Sequence, residues 1–207
     1  MRAQGLHGLL RSLKPRHLVE VGSGVSTHCA LHATSLNAAE GHPCAITCVE
    51  PHPSEFLRRS DRVSLIHSRV ERAALACFDA LAAGDWLFID STHALKPAGD
   101  VEYLYLEIIP RLKPGVVVHI HDIFLPYTYQ RDLLTSLFQW TETMLLQALL
   151  ANNSHLSVLV ALSLLHYDRP KELQQIFPEY EPQPDKDGLS EPGAAGHFPS
   201  SIYLLTH

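Results

Sequence analysis

The sequence predicts an α/β fold built on a mostly parallel sheet. Short β-branched runs alternate with helical stretches of roughly ten residues, which is the pattern of βαβ units. The runs Trp86 to Ile89 and Val116 to Val118 are continuously apolar rather than alternating, as in central strands buried on both faces. Apolar residues make up 46% of the 207-residue chain and charged residues 18%, below the roughly 25% charge of an average globular protein, so a core is well supplied and long solvated tails are not expected. Right-handed crossovers place helices on both faces of such a sheet.

Each element has its own signal. His17 to Gly22 is a strand entered from Lys14-Pro15 and ended by Gly22-Ser-Gly24. Val25 to Asn37 carries no helix breaker, and Ser26 or Thr27 can cap its first turn. The alternation continues with strand Ala45 to Glu50, helix Pro53 to Arg59, strand Val63 to His67, helix Val70 to Ala82, strand Asp85 to Asp90, helix Ala98 to Leu112 and strand Val116 to Asp122. A longer helix is expected from Tyr129 to Asn152, where Leu133, Leu137, Trp140, Met144 and Leu145 recur at helical spacing. Strand Leu156 to Leu164 and the amphipathic segment Lys171 to Phe177 follow, and Ser201 to Leu205 closes the chain as an antiparallel edge. Between them, Pro178 to Pro199 holds five prolines and three glycines and reads as a long loop. It is expected to leave the ligand side of the sheet, with His197 and Phe198 as ligand contacts.

The length suits a single domain over residues 1–207, with 178–199 as its long loop. Sixteen Lys and Arg against 22 Asp and Glu give a net charge of −6, with no basic stripe to follow phosphates, so nucleic acid is not expected as a partner. The longest apolar run, Leu156 to Leu165, is too short to span a bilayer and contains two serines. The N-terminal segment, with Arg2, His7 and Arg11, lacks the h-region of a secretory signal, so no membrane association and a cytoplasmic location are expected. Cys29, Cys44, Cys48 and Cys77 form no CxxC pair and read as reduced thiols.

In an open α/β sheet, ligands bind beyond the carboxyl ends of the strands. Glu20-Val-Gly22-Ser23-Gly24 ends the first strand, and its glycines allow backbone to approach a ligand at a helix N-terminus. A dinucleotide fingerprint would place Gly or Ala where Thr27 stands, which counts against NAD. Glu50 ends the second strand, 26 residues after Gly24, where a carboxylate can accept both hydroxyls of a ribose.

These residues resemble the class I S-adenosylmethionine-dependent methyltransferases. Glu20-x-Gly22-x-Gly24 is similar to that family's first motif, Glu50 to its ribose acid and Asp90 to its polar residue after the fourth strand. The resemblance continues through Phe88-Ile-Asp-Ser-Thr-His93, Leu112-Lys-Pro-Gly115, Val118-His-Ile-His-Asp-Ile-Phe-Leu-Pro126 and the segment Glu142 to Leu150. The nearest subgroup is that of small bacterial O-methyltransferase-like enzymes of the catechol and macrolide-sugar type. It implies a Rossmann-like seven-stranded sheet whose last strand is antiparallel, S-adenosylmethionine as cofactor and a small-molecule acceptor, and it is compatible with a homo-oligomer. The cofactor set is then Glu20, Gly22, Ser23, Gly24 and Glu50, with Ser68, past the third strand, near the adenine. Family enzymes often carry an N-terminal helical cover, whereas 16 residues precede His17.

Asp90 and His93 end the fourth strand and His121 and Asp122 the fifth, so adjacent strands bring all four to one cleft. Mixed carboxylate and imidazole ligands suit a divalent metal. Catechol-type enzymes resemble this with an aspartate and an Asp-Asn pair, which implies Asp90, His121 and Asp122 as metal ligands, with His standing in place of Asp. Asp90 and His121 are the expected catalytic residues, His121 also as a base. An interaction module that binds the nucleoside without catalysis and a metal-dependent hydrolase or hydroxylase are the competing classes. Strand alternation sets Val117, His119 and His121 on one face, which makes His119 a core histidine in need of partners. Tyr127, Tyr129 and Trp140 read either as an aromatic wall over the acceptor or as stacked core. Histidines 7, 28, 32, 42, 52, 155, 166, 197 and 207 read as surface or cap residues.

Overall fold

The computed structural model describes residues 2–127, 129, 137, 140–177, 180 and 199–207. Its elements run α1 (Arg2–Leu13), β1 (His17–Val21), α2 (Val25–Ala39), β2 (Ala45–Val49), α3 (Glu55–Arg59), β3 (Ser64–Ile66), a 3₁₀ turn Val70–Arg72, α4 (Ala76–Asp79), β4 (Trp86–Ile89), α5 (Asp100–Tyr103), β5 (Val117–His121), α6 (Glu142–Leu150), β6 (Leu156–Ala161), α7 (Leu162–Asp168), α8 (Pro170–Ile176) and β7 (Ser201–Thr206). The strands form one seven-stranded sheet in the order β3-β2-β1-β4-β5-β7-β6. β7 pairs antiparallel with both β5 and β6, and all other pairings are parallel. The predicted Rossmann-like sheet with an antiparallel last strand is therefore present.

Helices cover both faces because the central strands are apolar on both. One face packs Val19, Leu87, Val118 and Ile120 against Val101, Leu104 and Ile108 after β4. The other packs Leu18, Ile46, Phe88 and Val117 against Leu6 and Leu10 of α1 and Ala30 and Leu31 of α2. α1 has no counterpart in the sequence expectation. Gly5 and Gly8 lower its intrinsic propensity, and burial of Leu6 and Leu10 on α2 supplies what propensity does not.

Three helical expectations change in detail. Val70 to Ala82 is a 3₁₀ turn and the one-turn α4 rather than one helix. Its buried apolar residues Val70, Ala73, Phe78 and Leu81 step by three, five and three, and the step of five swings a continuous helix off its face. The helix expected over Ala98 to Leu112 starts at Asp100, then widens to a π turn over Leu104–Ile108 and tightens to 3₁₀ over Ile109–Arg111. Pro110 explains the change, since it has no N–H for the ladder and its ring crowds the preceding turn. The expected strand Leu156 to Leu164 ends at Ala161, and α7 begins at Leu162. Leu162, Ser163 and His166 are buried at helical spacing, a period hidden inside a nearly continuous apolar run.

Of the helix expected over Tyr129 to Asn152, the structure describes α6, Glu142–Leu150. Most of the loop 178–199, including His197 and Phe198, lies outside the described residues. Among the described residues no helix is long and apolar enough to cross a membrane. The four cysteines are free thiols.

Candidate active site

The turn after β1 is shaped by contact with β4. Gly22 adopts φ +81°, and a Cβ there would stand 2.2 Å from the Asp90 carbonyl oxygen, so no side chain fits. The Asp90 amide donates to the Val21 carbonyl (2.9 Å) and the Gly22 amide to the Val49 carbonyl (3.1 Å), which ties the ends of β1, β2 and β4 together. Gly24 precedes α2 in extended backbone. Its amide donates to Thr27 Oγ1 (3.2 Å), and that hydroxyl donates to Glu20 Oε2 (2.7 Å). Thr27, the residue that argues against a dinucleotide, thus links the helix start to β1. Glu20 is 1% exposed, and desolvation raises its carboxyl pKa against bonds from Ser26, Cys48 and Thr27. It braces the turn from beneath rather than lining the cleft.

Glu50 closes the other side. Its Oε2 accepts from the Ser23 amide (2.9 Å) and hydroxyl (3.2 Å), and its Oε1 from the His52 amide (2.7 Å). A cleft of about 330 Å³ opens here, with Gly22, Glu50, Asp90, Thr92, Arg69 and Lys96 among its walls. Ser68 is not part of this lining, although Arg69 and Val70 are; its hydroxyl donates to the Arg69 carbonyl (3.1 Å). Larger open hollows, one beside His17 and His42 and another between α1, α2 and α8, lie away from these strand ends.

The ends of β4 and β5 gather the second group. Asp90 Oδ1 stands 3.4 Å from His121 Nδ1 and 3.6 Å from His93 Nε2. Asp122 Oδ2 stands 3.5 Å and 3.8 Å from the same two nitrogens. The four atoms form a ring in which imidazole and carboxylate alternate, so Asp90, His121 and Asp122 share one cleft with His93. His93 Nδ1 lies 2.7 Å from Glu142 Oε2, and Ser91 donates to Glu142 Oε1 (3.0 Å). The sequence places Glu142 only within the helix expected over Tyr129 to Asn152 and in the segment that carries the resemblance. Burial alone would lower both histidines, yet the neighbouring carboxylates of Asp90 and Glu142 hold His93 up to about 10, and those of Asp122 and Asp90 hold His121 up to about 9. Burial would raise Asp90, but His121 and His93 outweigh it and hold it below the usual carboxylate range. At neutral pH these are ion pairs.

The neighbouring aromatic residues separate. Trp140 lies over the His93 ring, with centroids 4.4 Å apart. Tyr129 packs on Phe124 and accepts the Thr143 amide (2.7 Å), and Tyr127 packs on Tyr167. His119 is buried between Phe88, Trp86 and Tyr203, stacked on Tyr203 at 4.0 Å. Neither of its ring nitrogens has a hydrogen-bond partner among the described residues, which departs from the partnered core histidine expected. His166, expected at the surface, is buried and bonded to the Tyr180 hydroxyl.

A profile of the family described as "Methyltransferase domain" matches residues 19–123. Among solved structures, the chain is similar to an O-methyltransferase of Streptomyces achromogenes involved in tomaymycin synthesis, in complex with S-adenosylmethionine (TM-score 0.53, 15% identity, 99% of this chain and 78% of that one). It is similar also to an O-methyltransferase of Bacillus cereus in complex with S-adenosylhomocysteine (TM-score 0.52, 15% identity, 99% and 80%). A third is the 1,6-didemethyltoxoflavin N1-methyltransferase of Burkholderia thailandensis (TM-score 0.51, 15% identity, 100% and 78%). No curated protein sequence matches the chain.

Proposed function

The chain belongs to the methyltransferase domain family, and from that premise we propose that it transfers a methyl group from S-adenosylmethionine to a hydroxyl of a small molecule. The observation that carries this is the Gly22 turn facing Glu50 across one cleft at the carboxyl ends of β1, β2 and β4. Gly22, Ser23 and Gly24 form the turn against which the amino acid part of the cofactor lies, with Glu20 bracing it. Glu50, oriented by the Ser23 and His52 amides, keeps acceptor capacity for the ribose hydroxyls. Ser68 lies near the adenine end through the segment that continues into Arg69 and Val70. The bound cofactor supplies the methyl group on a sulfonium that leaves as a neutral thioether, so the protein's task is to align the acceptor and dispose of its proton.

Asp90 and His121 are the residues proposed to handle the acceptor. Among the described residues no group of three or more His, Cys, Asp or Glu side chains is arranged to hold a metal ion. The fit lies in the donor chemistry: Asp90, His121 and Asp122 put two carboxylates and an imidazole at neighbouring strand ends, 3.4 to 3.5 Å apart. They would hold a divalent cation, which would lower the pKa of an acceptor hydroxyl. His121, already ion-paired with both carboxylates, is better placed as a member of this group than as a free base. The two similar O-methyltransferases favour oxygen as the acceptor atom, while the similar N-methyltransferase shows that the fold serves nitrogen as well. Chain copies in association remain compatible with this site.

The test is transfer of labelled methyl from S-adenosylmethionine to a panel of catechol and sugar hydroxyls, with and without added divalent cation. Asp90→Asn should cost at least about 100-fold in turnover, the scale of losing a positioned proton-handling group, while retaining cofactor binding. Cofactor binding without transfer to any acceptor in the panel would instead support a binding module.

A further inference from the structure

We propose that Thr27 and Cys48, acting through Glu20, are positioning residues for the methyl donor: they fix the Gly24 end of the turn, and with it the fit of the donor's amino acid part. This rests on the cofactor reading above and names residues that hold its turn in place.

The turn has three anchors, one for each of its amides. Gly22 donates to the Val49 carbonyl (3.1 Å), Ser23 to Glu50 Oε2 (2.9 Å) and Gly24 to Thr27 Oγ1 (3.2 Å). All three amides are thus held by the protein, so the turn meets a ligand through its shape, and its position decides the fit. The first anchor is sheet backbone. The second is shared with Glu50, the proposed ribose acid. The third is a side chain outside the cleft's lining, and its own place has to be fixed by something else.

A relay of neutral donors fixes it. Gly24 has no side chain with which to cap α2, so Thr27, in the first turn of the helix, supplies half of a capping box by accepting the Gly24 amide. A hydroxyl has one proton, and Thr27 gives it to Glu20 Oε2 at 2.7 Å, which leaves its lone pairs for Gly24. Glu20 stands opposite Cys48 in the β1–β2 ladder, and the Cys48 thiol donates to the same Oε2 at 3.0 Å. Burial pushes that thiol well above its ordinary value, so it keeps the proton it donates. The relay therefore runs from β2 through β1 and α2 to the turn. Thr27 and Glu20 are each 1% exposed and Cys48 is fully buried, so removing one donor strands a polar group rather than handing it to water.

The test is titration calorimetry of the full chain with two probes, S-adenosylhomocysteine and methylthioadenosine, the second of which keeps the nucleoside and lacks the amino acid part. Thr27→Val matches the shape of the side chain and removes both of its bonds. The affinity for S-adenosylhomocysteine relative to methylthioadenosine should fall at least about fivefold, the lower end for stranding a buried polar group. Thr27→Ser keeps the hydroxyl and should restore the parental ratio to within about twofold. Cys48→Ala removes only the far end of the relay and should shift the ratio the same way by at least about twofold, since a thiol is a weak donor; it carries the test alone where Thr27→Val does not fold. An unchanged ratio in either variant, even with both affinities lowered together, would overturn the proposal and mark the relay as serving stability alone. Failure of the parent to bind S-adenosylhomocysteine would strike the methyl-donor reading, and this proposal with it.

Discussion

The two halves of the sheet's carboxyl edge are built on different physics. At β1 and β2, recognition is made from backbone: Gly22 brings the chain within contact of Asp90, and Glu50 is anchored by the amides of Ser23 and His52. At β4 and β5, the polar groups hold one another. Asp90, His93, His121 and Asp122 are ion-paired, and Glu142 comes from 49 residues beyond His93 to complete the group. The first half depends on shape and local chain geometry. The second depends on charge balance between distant segments, so removing one member leaves its partner buried and unpaired.

The sharpest way to break the comparison is Gly22→Ala. The added Cβ meets a backbone oxygen at 2.2 Å in left-handed backbone, so overpacking and conformational strain act together. A loss of about 3 to 4 kcal/mol in urea unfolding is expected, with cofactor binding abolished. Next is Glu142→Ala, which strands His93 beneath Trp140 and should cost about 3 kcal/mol, as breaking a buried pair does. Its loss should fall on stability, with S-adenosylhomocysteine affinity retained.

The smallest effect contrasts two histidines on one strand. His119 is desolvated among aromatic rings and its pKa is lowered, so the stability tied to its neutral form is present above pH 6.5 and lost as pH falls below it. His121, two residues on, is raised to about 9 by Asp122 and Asp90. Its contribution in the metal-free protein is present below pH 6.5 and lost as pH rises through about 9. His119→Phe replaces two unpartnered nitrogens with carbon and should change the unfolding free energy by less than about 1 kcal/mol at pH 8. Thermal unfolding at pH 5 should then show the variant more stable than its parent.

Sequence reasoning reached the two halves unequally for the same physical reason. Gly22, Gly24 and Glu50 are separated by fixed distances along adjacent βα units, so their spacing carries the geometry. Asp90, His121 and Asp122 were legible as polar residues ending apolar strands. Glu142 was not legible as a site residue, because only the tertiary path that returns α6 to the 91–95 segment brings it to His93. α1 was not legible because its helicity depends on packing against α2.

The central claim is that Glu50 and the Gly22 turn form the S-adenosylmethionine site, and titration calorimetry of S-adenosylhomocysteine into the parent and Glu50→Ala tests it most directly. Saturable binding is expected, weakened in the variant by about 1 to 3 kcal/mol, the scale of losing hydrogen bonds to a charged group, at unchanged thermal stability. Equal affinity in the two proteins would contradict the assignment.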